Sequence, residues 1–449
     1  MELKNGGGIA VMKKSAWILL WSVLLSSAYA TDWPGWLGPG GLGISSEEGI
    51  PTQWDMDKNV KWKVPIPGLG HSSPIVWGNR IFVTTAVSSD PKADNWEGGF
   101  PMTGRAPDTK EISWQILCLD RDTGKLLWQR TAVKAIPVNF RHLKNSYASQ
   151  TPVTDGTYVY AFFGDEGMFC YDFEGGLIWS RDLGDFKMRS DWGMGSSPVL
   201  YENLVFQTCD QETGESFIIA LDKKTGEPVW KQEREELSSW STPFLYLEGG
   251  RPELVVNATT AIRSYDPATG KLLWECRGPA TSITSPTPIS SNGLIIVSSG
   301  FIMDPIRPIT AFIPGASGDI TLKEGETKSD AIAWRQPTAA PYIPTPIADA
   351  NYIYVLYDQG FFACYEARTG REVYGKKRIG MGANFSATPL VIGNRLFCFS
   401  EDGDVYVIKT GPDFELLATN SMGEAMMATP AVSNGMMFIR TIKSLYCIR

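Results

Sequence analysis

Histidine is almost missing from this 449-residue chain, which carries only His71 and His142. A metal site built from several imidazoles is excluded on that count alone. Cysteine is scarce as well. The seven, Cys118, Cys170, Cys209, Cys276, Cys364, Cys398 and Cys447, are odd in number, never adjacent and never in a CxxC pair. That pattern argues against a thiolate metal cluster and against a dense disulfide framework. Basic charge is in deficit, with 41 Lys and Arg against 49 Asp and Glu. A nucleic-acid partner needs a basic surface, and an anionic lipid surface attracts one, so neither class fits this balance.

Long apolar runs are also rare. The one candidate, residues 16–25, is about half of the ~20 residues a membrane-spanning helix needs. Lys13 and Lys14 precede it, and the small residues Ala28 and Ala30 follow it. A basic start, a short apolar core and small residues at the end describe a secretory signal peptide over residues 1–30. The mature chain then begins near Thr31 with a net charge of about −10 and no transmembrane segment. No cysteine follows the leader, so a lipid-modified start is not indicated. The expected location is exported, periplasmic or secreted, and soluble.

What is abundant is punctuation, with 45 Gly and 29 Pro. Eight strand starts share a Ser or Thr followed by Pro and an apolar run, placing Pro at 74, 152, 198, 243, 288, 346, 389 and 430. Successive spacings are 78, 46, 45, 45, 58, 43 and 41 residues. A period near 45 is that of a four-stranded propeller blade, and the two long intervals read as insertions. Within each period a second signature recurs: CLDRDTGKLLW at 118–128, CYDFEGGLIW at 170–179, ALDKKTGEPVW at 220–230, SYDPATGKLLW at 264–274 and CYEARTGREVY at 364–374. Degenerate copies run from Ala311 towards Trp334 and from Val407 to Leu417. Asp with Thr-Gly builds a tight turn, and the aromatic on the last strand is expected to pack against the neighbouring blade.

The eighth unit lacks its fourth strand at the C-terminus. NVKWKVPIP at 59–67, with Trp62 at the aromatic position, is the orphan strand that completes it. The expected fold is therefore all-β, an eight-bladed β-propeller of four-stranded antiparallel blades over residues 60–449. An N-terminal extension of residues 31–59 precedes it. Pairing the two chain ends closes the ring and removes open sheet edges.

The small-x-Asp-x-x-Thr-Gly-x-x-x-Trp repeat resembles the tryptophan-docking repeat of pyrroloquinoline quinone (PQQ) dehydrogenases and of BamB, the propeller lipoprotein of outer-membrane protein assembly. The layout is also similar to secreted PQQ-like propellers, on DWPGWLGPGG at 32–41, PGLGHSSPIVWGNR at 67–80, RHLKNSYASQTPVTDG at 141–156 and GASGDI at 315–320. Two departures stand out. The quinoprotein alcohol dehydrogenases pair adjacent cysteines beside the cofactor, and BamB has a lipidated cysteine after its leader; neither feature is present.

In such a blade the Asp-Thr-Gly turns fall on one face. The loops between second and third strands, and those leading to the next inner strand, fall on the other, around a funnel. Departures from the repeat concentrate there: the insertion at 88–113, the approach loop at 131–150, and the approach loop at 181–197. The candidate ligand-binding residues are His71, Arg141, His142, Lys144, Asn145, Arg189, Asp191, Trp192 and Trp240, with Lys187 and Tyr147 in the same loops and Tyr342 and Asn384 before the sixth and seventh inner strands. Cations beside aromatic platforms suit a protein segment or a polymeric or small anionic ligand. The bland alternative is solvated loops whose cations pair with local acids. His71 beside Ser72 and Ser73 lacks a third, orienting residue, so no catalytic set is assigned. Asp120, Asp172, Asp222 and Asp266 repeat with the turn and read as structural, as do Cys118, Cys170, Cys364 and Cys447 at the small-residue position. GASGDI could cradle an anion, or could be a wide turn in the degenerate fifth blade.

The leading functional expectation is an exported, non-catalytic binding or scaffold protein that uses the funnel face and needs no cofactor or metal. The alternatives are a PQQ-dependent oxidoreductase, with Arg141, Lys144 or Arg189 holding the quinone and Trp192 or Trp240 stacking on it, and a BamB-like assembly factor.

Overall fold

The strand starts marked by Ser/Thr-Pro are the inner strands of eight sheets. The computed structural model describes residues 1, 32–55, 58–90, 109–278 and 281–449. The expected leader and most of the 88–113 insertion lie outside these residues. Blades 1 to 7 span residues 75–135, 153–181, 199–234, 244–277, 289–336, 347–378 and 390–421. Blade 8 combines residues 431–448 with the N-terminal strand Val60–Pro65. There Trp62 faces Cys447 and Val60 faces Ile448, so the two ends of the propeller are joined within one sheet.

Each signature has a physical job. The small residue is the cross-strand partner of the aromatic: Cys118 of Trp128, Cys170 of Trp179, Ala220 of Trp230, Ser264 of Trp274, Ala311 of Trp334 and Cys364 of Tyr374. The indole then reaches the next blade's turn. Trp128 Nε1 donates to Phe173 O at 2.7 Å, Trp179 to Lys223 O at 3.0 Å, Trp230 to Pro267 O at 3.0 Å and Trp334 to Ala367 O at 3.1 Å. Trp62 closes the ring by donating to Arg121 O of blade 1 at 3.1 Å. The turn glycine is required where the ring lands. On Gly226, at φ 72°, a Cβ would sit 2.6 Å from Trp179, and on Gly270 2.6 Å from Trp230. Burying an aromatic of this size contributes about 1.5–3 kcal/mol per seam. The degenerate copy in blade 7 differs, since Val407 faces Ala418 and no aromatic fills that position.

The Ser/Thr before each Pro forms a second, inner ring. Ser73 N–H donates to Thr151 Oγ1, Thr151 to Ser197 Oγ, Ser197 to Thr242 Oγ1 and Thr242 to Thr287 Oγ1, all at 2.9–3.1 Å. Thr287 continues to Thr345, Thr345 to Thr388 and Thr388 to Thr429, at 3.0–3.1 Å. One donor and one hydroxyl per blade thus link seven of the eight seams. At the seam between blades 8 and 1, Arg440 Nη1 reaches Ser72 O at 3.0 Å and Ser72 Oγ at 2.6 Å instead.

The extension is a strap across the central channel. Trp33 exchanges backbone hydrogen bonds with Val76 of blade 1 at 2.8 Å, and Pro34 O accepts from Thr154 of blade 2 at 2.8 Å. Ile44–Ser45 then pairs in parallel with Leu390–Ile392, the inner strand of blade 7. In between, a Cβ on Gly43 would lie 2.8 Å from Ile347 of blade 6. Blades 2 and 6 are opposite one another in a ring of eight, so the chain crosses the axis. It does so on the turn side, where Asp32 accepts from Gly78 N at 2.7 Å and Glu47 from Asn434 N at 2.7 Å. Strap and propeller form one compact unit, Thr31–Arg449.

Candidate functional site

The loops opposite the strap bring the predicted residues together. In the approach loop to blade 2, Arg141 is buried and its Nη1 donates to Asn145 O at 2.7 Å, with the guanidinium 5.5 Å from the Tyr147 ring. Asn145 Nδ2 donates to Trp192 O at 2.7 Å and to Met194 O at 3.2 Å, binding this loop to the next one. His142 Nδ1 accepts from Lys144 N at 3.0 Å, which leaves the imidazole proton on Nε2. Its ring meets Trp192 edge-on at 5.8 Å, and Trp192 packs on Trp240 at 5.9 Å with a 42° tilt. Trp240 Nε1 donates to Gly193 O at 2.7 Å. His142, Trp192 and Trp240, far apart in the chain, therefore form one half-buried aromatic cluster.

The cations around this cluster have acidic partners. Lys187 pairs with Asp191, and Arg189 Nε donates to Glu212 at 3.1 Å while its Nη1 reaches Ser282 O. Lys144 Nζ meets Glu401 Oε1 at 2.7 Å, and Ser386 donates to the same oxygen at 2.6 Å. Glu401 belongs to blade 7, so this ion pair bridges the arc formed by blades 8 and 1. Each of these three cations is thus paired with an acid.

His71 lies against the approach loop, its backbone N–H donating to Ala148 O at 3.0 Å and Ser146 Oγ at 3.2 Å. Burial, then Arg440, Arg141 and Lys144, push the imidazole down to about 3, so it is neutral at physiological pH. His142 is also lowered, by burial first and then by Lys144 and Arg141. Asp358 in blade 6 is raised by burial and by Glu401, with Lys144 and Arg307 opposing.

Sequence reasoning missed Glu401, Asp358 and Arg440. A signal for Arg440 exists in the repeat. The first residue of each inner strand faces Phe82, Tyr160, Phe206, Val255, Ile296, Tyr354, Phe397 or Phe438. Two residues further on stand Thr84, Phe162, Thr208, Asn257, Ser298, Leu356, Phe399 and Arg440, one cation among seven uncharged side chains.

Other candidates resolve as structure. Asp120, Asp222 and Asp266 each accept from backbone N–H groups and the Thr hydroxyl of their own turn, and Asp172 from two backbone N–H groups. All seven cysteines are buried and free. GASGDI is neither of its two expected forms: Gly318–Asp319 leaves blade 5 and adds a parallel strand to the outer edge of blade 4. The anion held by its Gly315 N–H is the protein's own Glu253, at 2.7 Å. This replaces the missing turn of blade 5, because Trp274 donates to Glu253 at 2.6 Å instead of to a following blade. Among the described residues there is no group of three or more His, Cys, Asp or Glu arranged for a metal, and no helix long and apolar enough to cross a membrane.

Residues 114–304 match the family model described as outer membrane protein assembly factor BamB. The fold is similar to BamB from Moraxella catarrhalis, at 13% identity and TM-score 0.52, over 81% of this chain and 97% of that one. It is similar to quinohemoprotein alcohol dehydrogenase from Comamonas testosteroni, at 11% identity and TM-score 0.60, over 93% and 80%. The corresponding enzyme ADHIIG from Pseudomonas putida HK5 gives 11% and 0.55 over the same shares. No curated protein sequence matches the chain. Together the match and the fold likenesses support a PQQ-like propeller repeat.

Proposed function

We propose that this PQQ-like propeller is an exported binding protein that holds a protein segment on its funnel face and does no chemistry of its own. The carrying observation is what rims the funnel. Met381 is 92% exposed, Met303 75%, Val138 63% and Ile136 61%, and all four stand on funnel-side loops. Exposed methionine and aliphatic side chains on these loops offer apolar contacts to a docking segment, and methionine adapts to varied partners. The rim surrounds a mouth whose side chains are locked to one another, which lowers the entropy lost on binding. The strap across the floor leaves the funnel side as the open end.

A bound quinone fits this mouth poorly. A flat tricarboxylate needs free cations and an aromatic slot with parallel walls. Lys144 and Arg189 are engaged by Glu401 and Glu212, and the indoles of Trp192 and Trp240 pack at 42° on each other. Service to outer-membrane assembly, the role in the BamB description, is one form that protein binding takes.

The test is site-specific photo-crosslinking in an envelope extract. Probes at Met381 and Met303 are expected to capture one discrete partner, and a probe at Leu272, on the outer strand of blade 4, is not. Equal adducts from all three positions, or dye reduction with alcohols or sugars after PQQ and calcium are added, would overturn the reading.

A further inference from the structure

Away from the mouth, on the same side of the ring, a polar cleft lies between blades 4 and 5. It has about 350 Å³ of empty space counting its open mouth. Its enclosed part has room for about one water molecule. Its walls include Asn257, Thr259, Ser298, Thr310, Cys276 and Arg335, and no Asp or Glu lines it.

Arg335 is the unusual group. It follows the docking aromatic Trp334 on the outer strand Ile332–Gln336. The same position holds a cation in two other blades, and each is paired: Lys231 with Glu215 at 2.9 Å and Lys63 with Glu424 at 2.6 Å. Arg335 has only neutral partners, Nε donating to Thr310 Oγ1 at 3.0 Å and Nη2 to Cys276 Sγ at 3.6 Å. A guanidinium held only by a hydroxyl and a thiol is a group that an anion's oxygens would satisfy.

We propose that this cleft binds a small oxyanion, a carboxylate, sulfate or phosphate, through Arg335 and the wall hydroxyls. The site shares no residue with the funnel mouth and does not depend on what docks there.

The test is titration of the folded protein with acetate, sulfate and phosphate against chloride at equal ionic strength. The readouts are the Arg335 Nε–H NMR resonance and Tm. At least one oxyanion is expected to shift the Arg335 resonance saturably and raise Tm, with chloride doing neither. Whichever of the three saturates first identifies the geometry the cleft prefers. Arg335→Gln is expected to abolish the Tm response, and Thr310→Val, which keeps the shape of the site, to weaken it several-fold. Arg277→Gln, on an exposed side chain already paired with Glu275, is expected to leave it unchanged. Absence of saturation by all three anions at roughly ten times a millimolar Kd would overturn the proposal. So would an Arg335→Gln protein that responds like the parent. Substituting Trp240 leaves this titration intact, so failure here and failure at the mouth are separable.

Discussion

The two rims of this ring are built on opposite principles. On the turn side one solution is repeated: an indole crosses the seam, donates to a turn carbonyl and lies over a glycine, as Trp179 does on Gly226 and Trp230 on Gly270. On the funnel side each loop has its own solution. Blade 3 buries an Arg234–Asp210 pair, with Nε to Oδ1 at 3.0 Å and Ser239 donating to Oδ2 at 2.5 Å. Blade 4 pairs Arg263 with both Glu236 and Glu275, and Lys144 reaches Glu401 of blade 7. The difference teaches where freedom lies. Seam packing is local and shared, so it tolerates little variation, whereas the funnel loops are each held by a private set of polar contacts and can diverge.

That contrast can be broken most forcefully on the funnel side. Asp210→Ala leaves Arg234, whose side chain is 0% exposed, buried without its carboxylate. The expected loss is about 3–5 kcal/mol, read by denaturant unfolding. A loss below ~1 kcal/mol would mean that the funnel-side networks are dispensable decoration. On the turn side, Gly226→Ala must hold φ near 72° and push a methyl into Trp179, at a cost of about 2–4 kcal/mol. Gly393→Ala is the matched control, since its φ is also positive at 60° but nothing lies within 4 Å of its Cβ. It should cost about 1–2 kcal/mol. Equal losses at the two glycines would show that indole docking does not set the requirement.

Thr242→Val removes one hydroxyl of the inner ring and deprives the Ser197 N–H of its acceptor, for an expected loss of about 1–2 kcal/mol. The last effects are absent near neutral pH for His71, grow only away from it, and have opposite signs for the two groups. His71, held near 3 against an ordinary 6.5, refuses a proton that the unfolded chain accepts. Its contribution is intact above pH 6.5 and erodes as pH falls from there towards 3. His71→Gln should flatten that part of the Tm profile. Glu166 is raised to about 7 by burial and by Asp165, Asp185 and Asp182. Its contribution is present below 4.5 and lost as pH rises through about 7, so Glu166→Gln should gain stability over the parent only on the alkaline side. Parallel profiles for parent and variants would remove both assignments.

Most of the fold could be read directly because its determinants lie a few residues apart. Asp, Thr and Gly of a turn bond one another, Cys118 faces Trp128 across one hairpin, and the spacing of Pro residues counts the blades. Even the closure by Trp62 was legible, because the last repeat visibly lacked a strand. The candidate site was legible only as a set of loops. Arg141, His142, Lys144, Trp192 and Trp240 were picked as departures from the repeat, and the structure does bring them to one mouth. Their partners were not readable: Glu401 is 257 residues from Lys144, and nothing in local spacing connects the two. GASGDI misled for the same reason, since a short glycine-rich run does not reveal that it will leave its own blade and pair with the preceding one.

The amino-acid order alone therefore determined the number of blades, the way the ring closes and the face on which its irregular loops gather, because each follows from contacts within a single repeat. Only the folded ring decided that the extension spans the channel floor, that Lys144 is answered from blade 7, and that Arg335 is left without a carboxylate. These depend on which blades stand opposite or adjacent across the axis, a relation created when the last sheet is completed and absent from any shorter stretch of chain.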